Sequence, residues 1–213
     1  MRNKYLLLLL FLILIGCSKN DKNAFIDNDH YRNISDYYFP KNSFSDSDDL
    51  DAFVQTWYGE HLDVLDNENL IFLNKGLFKR FLNKSKINVI RFTCLRTFHS
   101  PFSIKVIWDN NAKLIYNMSN GAGGYSAGEL INHFEKSLNN DQINNLTEII
   151  HSYNIFNQPS VIDESGFDGS QWIIEINMDG NYKVIDRWSP KRGMIYDIGK
   201  YLVELSGEEI YLY

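Results

Sequence analysis

His99 is the residue whose type and setting best suit proton transfer. It lies between Phe98 and Ser100-Pro101, in a loop that ends a β-prone run. Loops at strand ends often carry sites, and an imidazole titrates near neutral pH. With Asp168 or Asp186 to orient it, and Arg96 or Arg187 to hold an anionic group, it would be the general base of a hydrolase. These residues are far apart in the chain, so the fold must bring them together. The competing reading is structural: a charged group set between Ile185 and Trp188 is more often half of an ion pair at a sheet edge than an acid or base.

Other constellations carry less. The chain contains no G-x-S-x-G elbow, no H-E-x-x-H and no C-x-x-C. Its five histidines are scattered, so no metal or other cofactor is expected. Glu164, Asp168, Gly169 and Glu175 occupy the first, fifth, sixth and twelfth places of a calcium-loop pattern. However, Gly166 supplies no ligand at the third place, and Glu175 falls in a β-prone run. Gly121-Ala122-Gly123-Gly124-Tyr125 lacks the Lys-Ser or Lys-Thr of a phosphate loop and is read as a structural turn in which glycine supplies positive φ or lets Tyr125 pack closely. Cys94 ends an apolar run and is read as a buried thiol. His61 has no second ligand at metal spacing and is read as a packed or capping histidine.

The N-terminus gives the strongest single signal. Met1 to Lys4 carry two cations, and Tyr5 to Ile15 form an uninterrupted apolar stretch. That stretch is shorter than the roughly 20 residues needed to span a bilayer and has the length of a signal-peptide core. Leu14-Ile15-Gly16-Cys17 resembles the lipobox of bacterial lipoproteins, in which the cysteine is diacylated before cleavage. The resemblance implies residues 1–16 as a cleaved signal and Cys17 as the lipidated residue, with a durable membrane tether because more than one acyl chain is attached. Ser18-Lys19 behind the cysteine resembles lipoproteins sorted to the outer membrane, facing the periplasm.

Charge and composition narrow the partners. The formal charge of −6 becomes −8 without the first 16 residues, which leaves no electrostatic footprint for nucleic acid. With 44% hydrophobic and 15% aromatic residues in 213, the chain can bury one ordinary core. With Cys17 acylated, Cys94 has no partner for a disulfide.

The elements that must position the candidate residues follow from patterning. Residues 17–46, rich in Asn, Asp, Lys and Ser, read as a flexible spacer, in which Tyr37-Tyr38-Phe39-Pro40 could dock locally. The domain is expected over 47–213. A helix beginning near Ser47 should turn Leu50, Phe53, Val54, Trp57 and His61 toward the core. Ile87–Phe92, Ser103–Trp108 and Lys113–Met118 read as an antiparallel meander, while Glu129–Leu138 fits strand or helix equally. Asn139 or Asn140 caps a helix with Ile143, Leu146, Ile149, Ile150 and Tyr153 on one face. Asp179-Gly180 joins Gln171–Asn177 to Tyr182–Trp188 as a hairpin, which places Trp172 opposite Arg187 and suggests a cation over a ring. A last helix spans Met194 to Ser206 and stops at Gly207. The expected fold is a single α+β domain, an antiparallel sheet with about three packed helices.

From Leu50 to Gly207 the chain resembles a family of bacterial proteins of uncharacterised activity, often lipoproteins or secreted. The resemblance rests on Phe53-Val54 with Trp57-Tyr58, on Leu95-Arg96-Thr97-Phe98-His99 with Pro101, and on Gly121 to Tyr125. It continues through Phe167-Asp168-Gly169-Ser170-Gln171-Trp172 with Glu175, and Tyr182 with Asp186-Arg187-Trp188-Ser189-Pro190. The family more often has leucine at Phe167, alanine at Ser170 and histidine at Lys183. It implies one domain built around these polar and aromatic blocks, and no activity. It points to Arg96, His99, Tyr125, Asp168, Trp172, Asp186 and Arg187 as a candidate binding surface. The expected function is that of a membrane-anchored envelope lipoprotein acting as a binding or accessory module, with an envelope protein as its partner. An envelope hydrolase using His99 and an immunity or inhibitor lipoprotein are the alternatives.

Overall fold

The Asp179-Gly180 turn organises one end of the sheet. Both residues adopt positive φ, 54° and 86°, as a primed turn requires, and they join β5 (Ser170–Met178) to β6 (Asn181–Trp188). A computed structural model describes residues 38–71, 87–162 and 166–213, all within one compact unit, Arg32–Tyr213. The other strands are β1 (Asn88–Arg96), β2 (Phe102–Trp108), β3 (Ala112–Ser119) and β4 (Leu130–Leu138). They form one six-stranded sheet in the order β4-β3-β2-β1-β5-β6, with antiparallel pairing throughout. Three α-helices are described: α1 (Asp48–Leu65), α2 (Asn140–Ser152) and α3 (Met194–Ser206). The fold is a single α+β domain. The signal segment, Cys17 and most of the spacer lie outside the described residues.

Strand alternation divides the core in two. One face carries Ile90, Phe92, Ile104, Tyr116, Trp172 and Ile174, which pack with Leu146 and Ile150 of α2 and Ile198 and Leu202 of α3. α2 starts at Asn139, whose side chain accepts from the Gln142 amide while Gln142 returns the bond, a capping box. The opposite face carries Leu95, Ile173 and Val184, which pack with Tyr58 and Leu62 of α1 and with Phe39 and Phe44. The packed domain therefore begins before residue 47: Phe39 and Phe44 are buried, and their rings stand edge-on to each other at 5.0 Å.

α1 is rotated relative to its expected stripe. Its buried residues are Asp51, Gln55, Tyr58, His61, Leu62 and Leu65, whereas Leu50 and Phe53 are exposed. The reason is a polar lock with the preceding loop. The Asp51 carboxylate accepts from the amides of Asn42 and Phe44, at 2.8 and 2.9 Å, and from Gln55 Nε2 at 2.7 Å. Gln55 Nε2 also donates to the Pro40 carbonyl at 3.1 Å, and a hydrophobic stripe cannot reveal two polar residues buried to satisfy the amides and a carbonyl of a loop.

Two further expectations are resolved by tertiary pairing. Glu129–Leu138 forms strand β4, because β3 offers it a complete ladder from Ala112↔Leu138 to Met118↔Asn132 and Phe134 stacks on Tyr116 at 4.9 Å. Trp172 does stand opposite Arg187, and the guanidinium donates to the carbonyls of Pro159 and Ser160 at 2.8 and 2.9 Å. The loop before β5 is thereby tied to the sheet edge.

Beneath the C-terminal end of α1 lies a buried charge network. Arg91 bonds Glu175 through both Nε and Nη2, and both residues are almost fully buried. Arg91 Nη1 also donates to the carbonyls of Asp66 and Glu68, and Lys105 pairs with Asp66 and Glu68 at 2.8 and 2.7 Å. This network pins the chain that leaves α1 onto the centre of the sheet. It explains why Glu175 is not offered to a calcium loop, since its carboxylate is held inward by Arg91 and by Tyr182 at 2.8 Å.

Candidate functional site

At one end of the sheet, Leu95, Gln171 and Trp188 lie side by side in a single row across β1, β5 and β6. They form the floor of a cleft of about 470 Å³. α1 supplies one wall with Phe53, Val54, Trp57 and Tyr58, and the glycine loop supplies the other with Gly123, Gly124 and Tyr125. Phe167 and Thr97 complete the lining. Three of the rings project strongly into solvent: Phe53 is 69% exposed, Tyr125 65% and Phe167 99%. A monomer rarely displays so many adjacent large apolar groups without a use for them.

The wall opposite α1 depends on close backbone packing. Gly123 donates to the carbonyl of Arg96 at 2.8 Å and Gly124 to that of Thr97 at 3.2 Å. A Cβ on Gly123 would meet the backbone of Leu95 and Arg96 inside van der Waals contact, so only glycine lets the loop lie flat on the end of β1. Tyr125 projects beside Phe98, with ring centroids 5.9 Å apart. The expected structural turn is present, but its glycines serve the approach of the loop backbone to β1 rather than close packing of Tyr125, which is largely exposed; the turn shapes the cleft.

Behind the floor sits a buried carboxylate. Asp186 Oδ2 accepts from the Tyr58 hydroxyl at 2.6 Å, and Oδ1 accepts from Gln171 Nε2. Burial raises the Asp186 carboxyl to about 6, although Tyr58, Gln171 and Arg187 all favour its ionised form. Burial and the neighbouring Asp186 hold the Tyr58 phenol well above its usual range. Near neutral pH, Asp186 is thus an ionised acceptor that fixes the orientation of the Gln171 amide: Nε2 turns toward the carboxylate and Oε1 away from it.

The remaining expected site residues are dispersed. His99 is exposed and its Nδ1 hydrogen-bonds the Tyr213 hydroxyl at 2.7 Å. Asp168 is exposed, and no described hydrogen bond joins His99 to either Asp168 or Asp186. Arg96 donates to the Ser100 carbonyl at 2.7 and 3.1 Å and lies over the Phe102 ring at 5.5 Å, which staples the loop that carries His99. Trp172 is buried in the core, its indole N–H donating to Ser170 Oγ at 2.7 Å. Arg187, on the opposite side of β6 from Asp186, lines a second cavity of about 400 Å³ with Lys191 and Arg192. Of the expected surface, only Tyr125 lines the aromatic cleft, with Asp186 acting on it through Gln171 and Tyr58.

Phe53, Trp57, Phe167, Gln171 and Trp188 were not expected together. All five fall within the polar-aromatic blocks, the one signal the sequence offers for them, but Phe53 and Trp57 also fit a core-facing stripe. His61, one turn beyond Trp57, is buried, and its pKa is lowered to about 4 by burial. It stands edge-on to Trp57 at 5.2 Å, as a packed histidine rather than a ligand. Cys94 is fully buried, its thiol pushed up to about 12 by burial. Among the described residues no His, Cys, Asp and Glu cluster is arranged to hold a metal ion, and no helix is long and apolar enough to cross a membrane.

In comparisons with known proteins, the chain matches no family model and no curated protein.

Proposed function

We propose that this protein is a lipid-anchored envelope lipoprotein whose domain acts as a non-enzymatic binding module through the aromatic cleft between α1 and the glycine loop. The observation that carries the binding role is the set of exposed rings, Phe53, Tyr125 and Phe167, gathered around one concave site. Binding sites are typically concave and mostly apolar, with a few placed polar groups, and Gln171 supplies one here. The anchoring role rests on the Leu14-Ile15-Gly16-Cys17 sequence, and the outer membrane is the proposed location. The dispersal of His99, Asp168 and Asp186 favours binding over hydrolysis.

The two parts are tested separately. Metabolic labelling with palmitate should mark the wild-type chain and leave Cys17→Ser unlabelled; label retained in the variant removes the anchor. For the cleft, the full chain in detergent micelles is titrated with fractionated envelope glycan, lipid and protein while tryptophan fluorescence is followed. Trp57 and Trp188 line the cleft, so a saturable change that Phe53→Ala weakens at least tenfold is expected. No saturable change with any fraction would remove the binding role.

A further inference from the structure

We infer that the cleft takes an uncharged oligosaccharide, its rings stacked on the exposed aromatic side chains; this rests on the binding role proposed above. The first ground is charge. Among the described residues no lysine, arginine, aspartate or glutamate lines the cleft, so a phosphorylated or carboxylated ligand would lose its hydration with no counter-charge from them in return. Arg187, Lys191 and Arg192 line the other cavity instead, and the Arg96 guanidinium is held by the Ser100 carbonyl.

The second ground is the state of the backbone. An extended peptide gains affinity by pairing its main chain with free amides and carbonyls. The cleft offers few. The amides of Gly123 and Gly124 bond Arg96 and Thr97, and the Thr97 amide bonds the Gly169 carbonyl at 2.9 Å. Thr97 Oγ1 is committed to that same carbonyl at 2.9 Å. A peptide lying here would leave its own polar groups unpaired, at a cost of about 1–3 kcal/mol for each one buried.

The third ground is what does face the site. Phe53, Trp57, Tyr125, Phe167 and Trp188 offer ring surfaces, which suit the C–H faces of a pyranose. The lining residues also carry single polar groups: the Gln171 amide, whose Nε2 is committed to Asp186 and whose Oε1 is left as an acceptor, the Tyr125 hydroxyl and the Trp57 indole N–H. A sugar has apolar faces and hydroxyls around its rim, so rings below and single polar atoms at the edge satisfy both parts of it. The volume, about 470 Å³, lies within the range of roughly 300–1,000 Å³ typical of small-ligand sites.

Asp186 would then act as a positioning residue. Its carboxylate decides which end of the Gln171 amide meets the ligand, and it touches no ligand itself. Asp186→Asn can donate as well as accept, so it allows Gln171 to turn and present its NH₂ group to the cleft.

The test uses the full chain in detergent micelles with chitotetraose and cellotetraose as probes, followed by tryptophan fluorescence. Saturable binding of at least one probe is expected, weakened at least tenfold by Phe53→Ala and by Tyr125→Ala. These are exposed positions, and unchanged circular dichroism shows that the variants fold. Asp186→Asn should change the ratio of affinities for the two probes, which loss of stability alone would not do. Binding that Phe53→Ala and Tyr125→Ala leave unchanged overturns the inference. If neither probe binds while an envelope protein fraction gives a Phe53-dependent signal, the saccharide inference fails and the binding role stands. If no probe or fraction gives a signal, both fail.

Discussion

The Tyr58 hydroxyl donates to Asp186 Oδ2 at 2.6 Å, across 128 residues of sequence. This bond joins α1 to the edge strand β6 directly behind the aromatic cleft. Tyr58→Phe should cost about 1.5–3 kcal/mol of unfolding free energy, the range for a hydrogen bond to a charged partner. It should also raise the Asp186 carboxyl further, because one stabilising donor is gone. Guanidinium unfolding at pH 7 measures the first effect, and carboxyl-selective NMR titration the second.

Acidification should expose two opposed contributions. Asp186 has a folded value of about 6 against 3.8 for the free group, so the folded state binds its proton more tightly. Its cost to stability is therefore absent below about pH 4 and grows as pH rises to about 6. His61 runs the other way, at about 4 folded against 6.5 free. Its contribution is complete above pH 6.5 and is lost as pH falls toward 4. In wild type the two slopes offset each other over the shared window. Asp186→Asn should stabilise relative to wild type increasingly from pH 4 to 6, by up to about 3 kcal/mol. Equal wild-type and variant slopes in unfolding experiments over that window would contradict this assignment.

Arg91 and Glu175 are both buried at the centre of the sheet and bond each other. Arg91→Met leaves the Glu175 carboxylate uncompensated and should cost about 3–5 kcal/mol. Adding Glu175→Met should recover more than half of that loss, since an apolar pair of similar volume removes both charges. A double-mutant cycle by chemical denaturation measures the coupling.

Two glycines should respond differently to substitution. Gly123→Ala pushes a methyl into the backbone of Leu95 and Arg96 and should destabilise by about 1–3 kcal/mol, while also shifting the cleft wall. Gly180 has φ of 86° but open space around it, and asparagine tolerates that conformation. Gly180→Asn should therefore change stability by less than about 1 kcal/mol. Thermal unfolding of the two variants, compared under one condition, separates the steric case from the conformational one.

In Cys17→Ser, Cys94 is the sole remaining thiol. Its full burial and raised ionisation should keep it inert to a thiol reagent at pH 8 in the folded state. Stoichiometric reaction should appear only after unfolding in guanidinium.

Local chemistry in the sequence determined much of this protein. Asp179-Gly180 demanded a primed turn because few other pairs accept two positive φ values, and that turn set the register placing Trp172 opposite Arg187. Asn139 or Asn140 marked the start of α2, which the capping box with Gln142 sets at Asn139; Gly207 marked the end of α3, and the apolar run around Cys94 its burial. These signals act over a few residues, so they are readable without the fold. What only the tertiary structure decided was which groups meet. Asp51 and Gln55 are buried because the loop amides of Asn42 and Phe44 need an acceptor and the Pro40 carbonyl a donor, and this turns Phe53 outward onto the cleft. β4 is a strand because β3 lies open beside it. His99 bonds Tyr213, while Asp186 bonds Tyr58 and Gln171 on the α1 side of the sheet, so the polar residues that stand together in sequence blocks are separated by strand alternation. The cleft itself is a product of long-range packing, where one helix, one row of strand residues and one glycine loop converge from five separate stretches of chain.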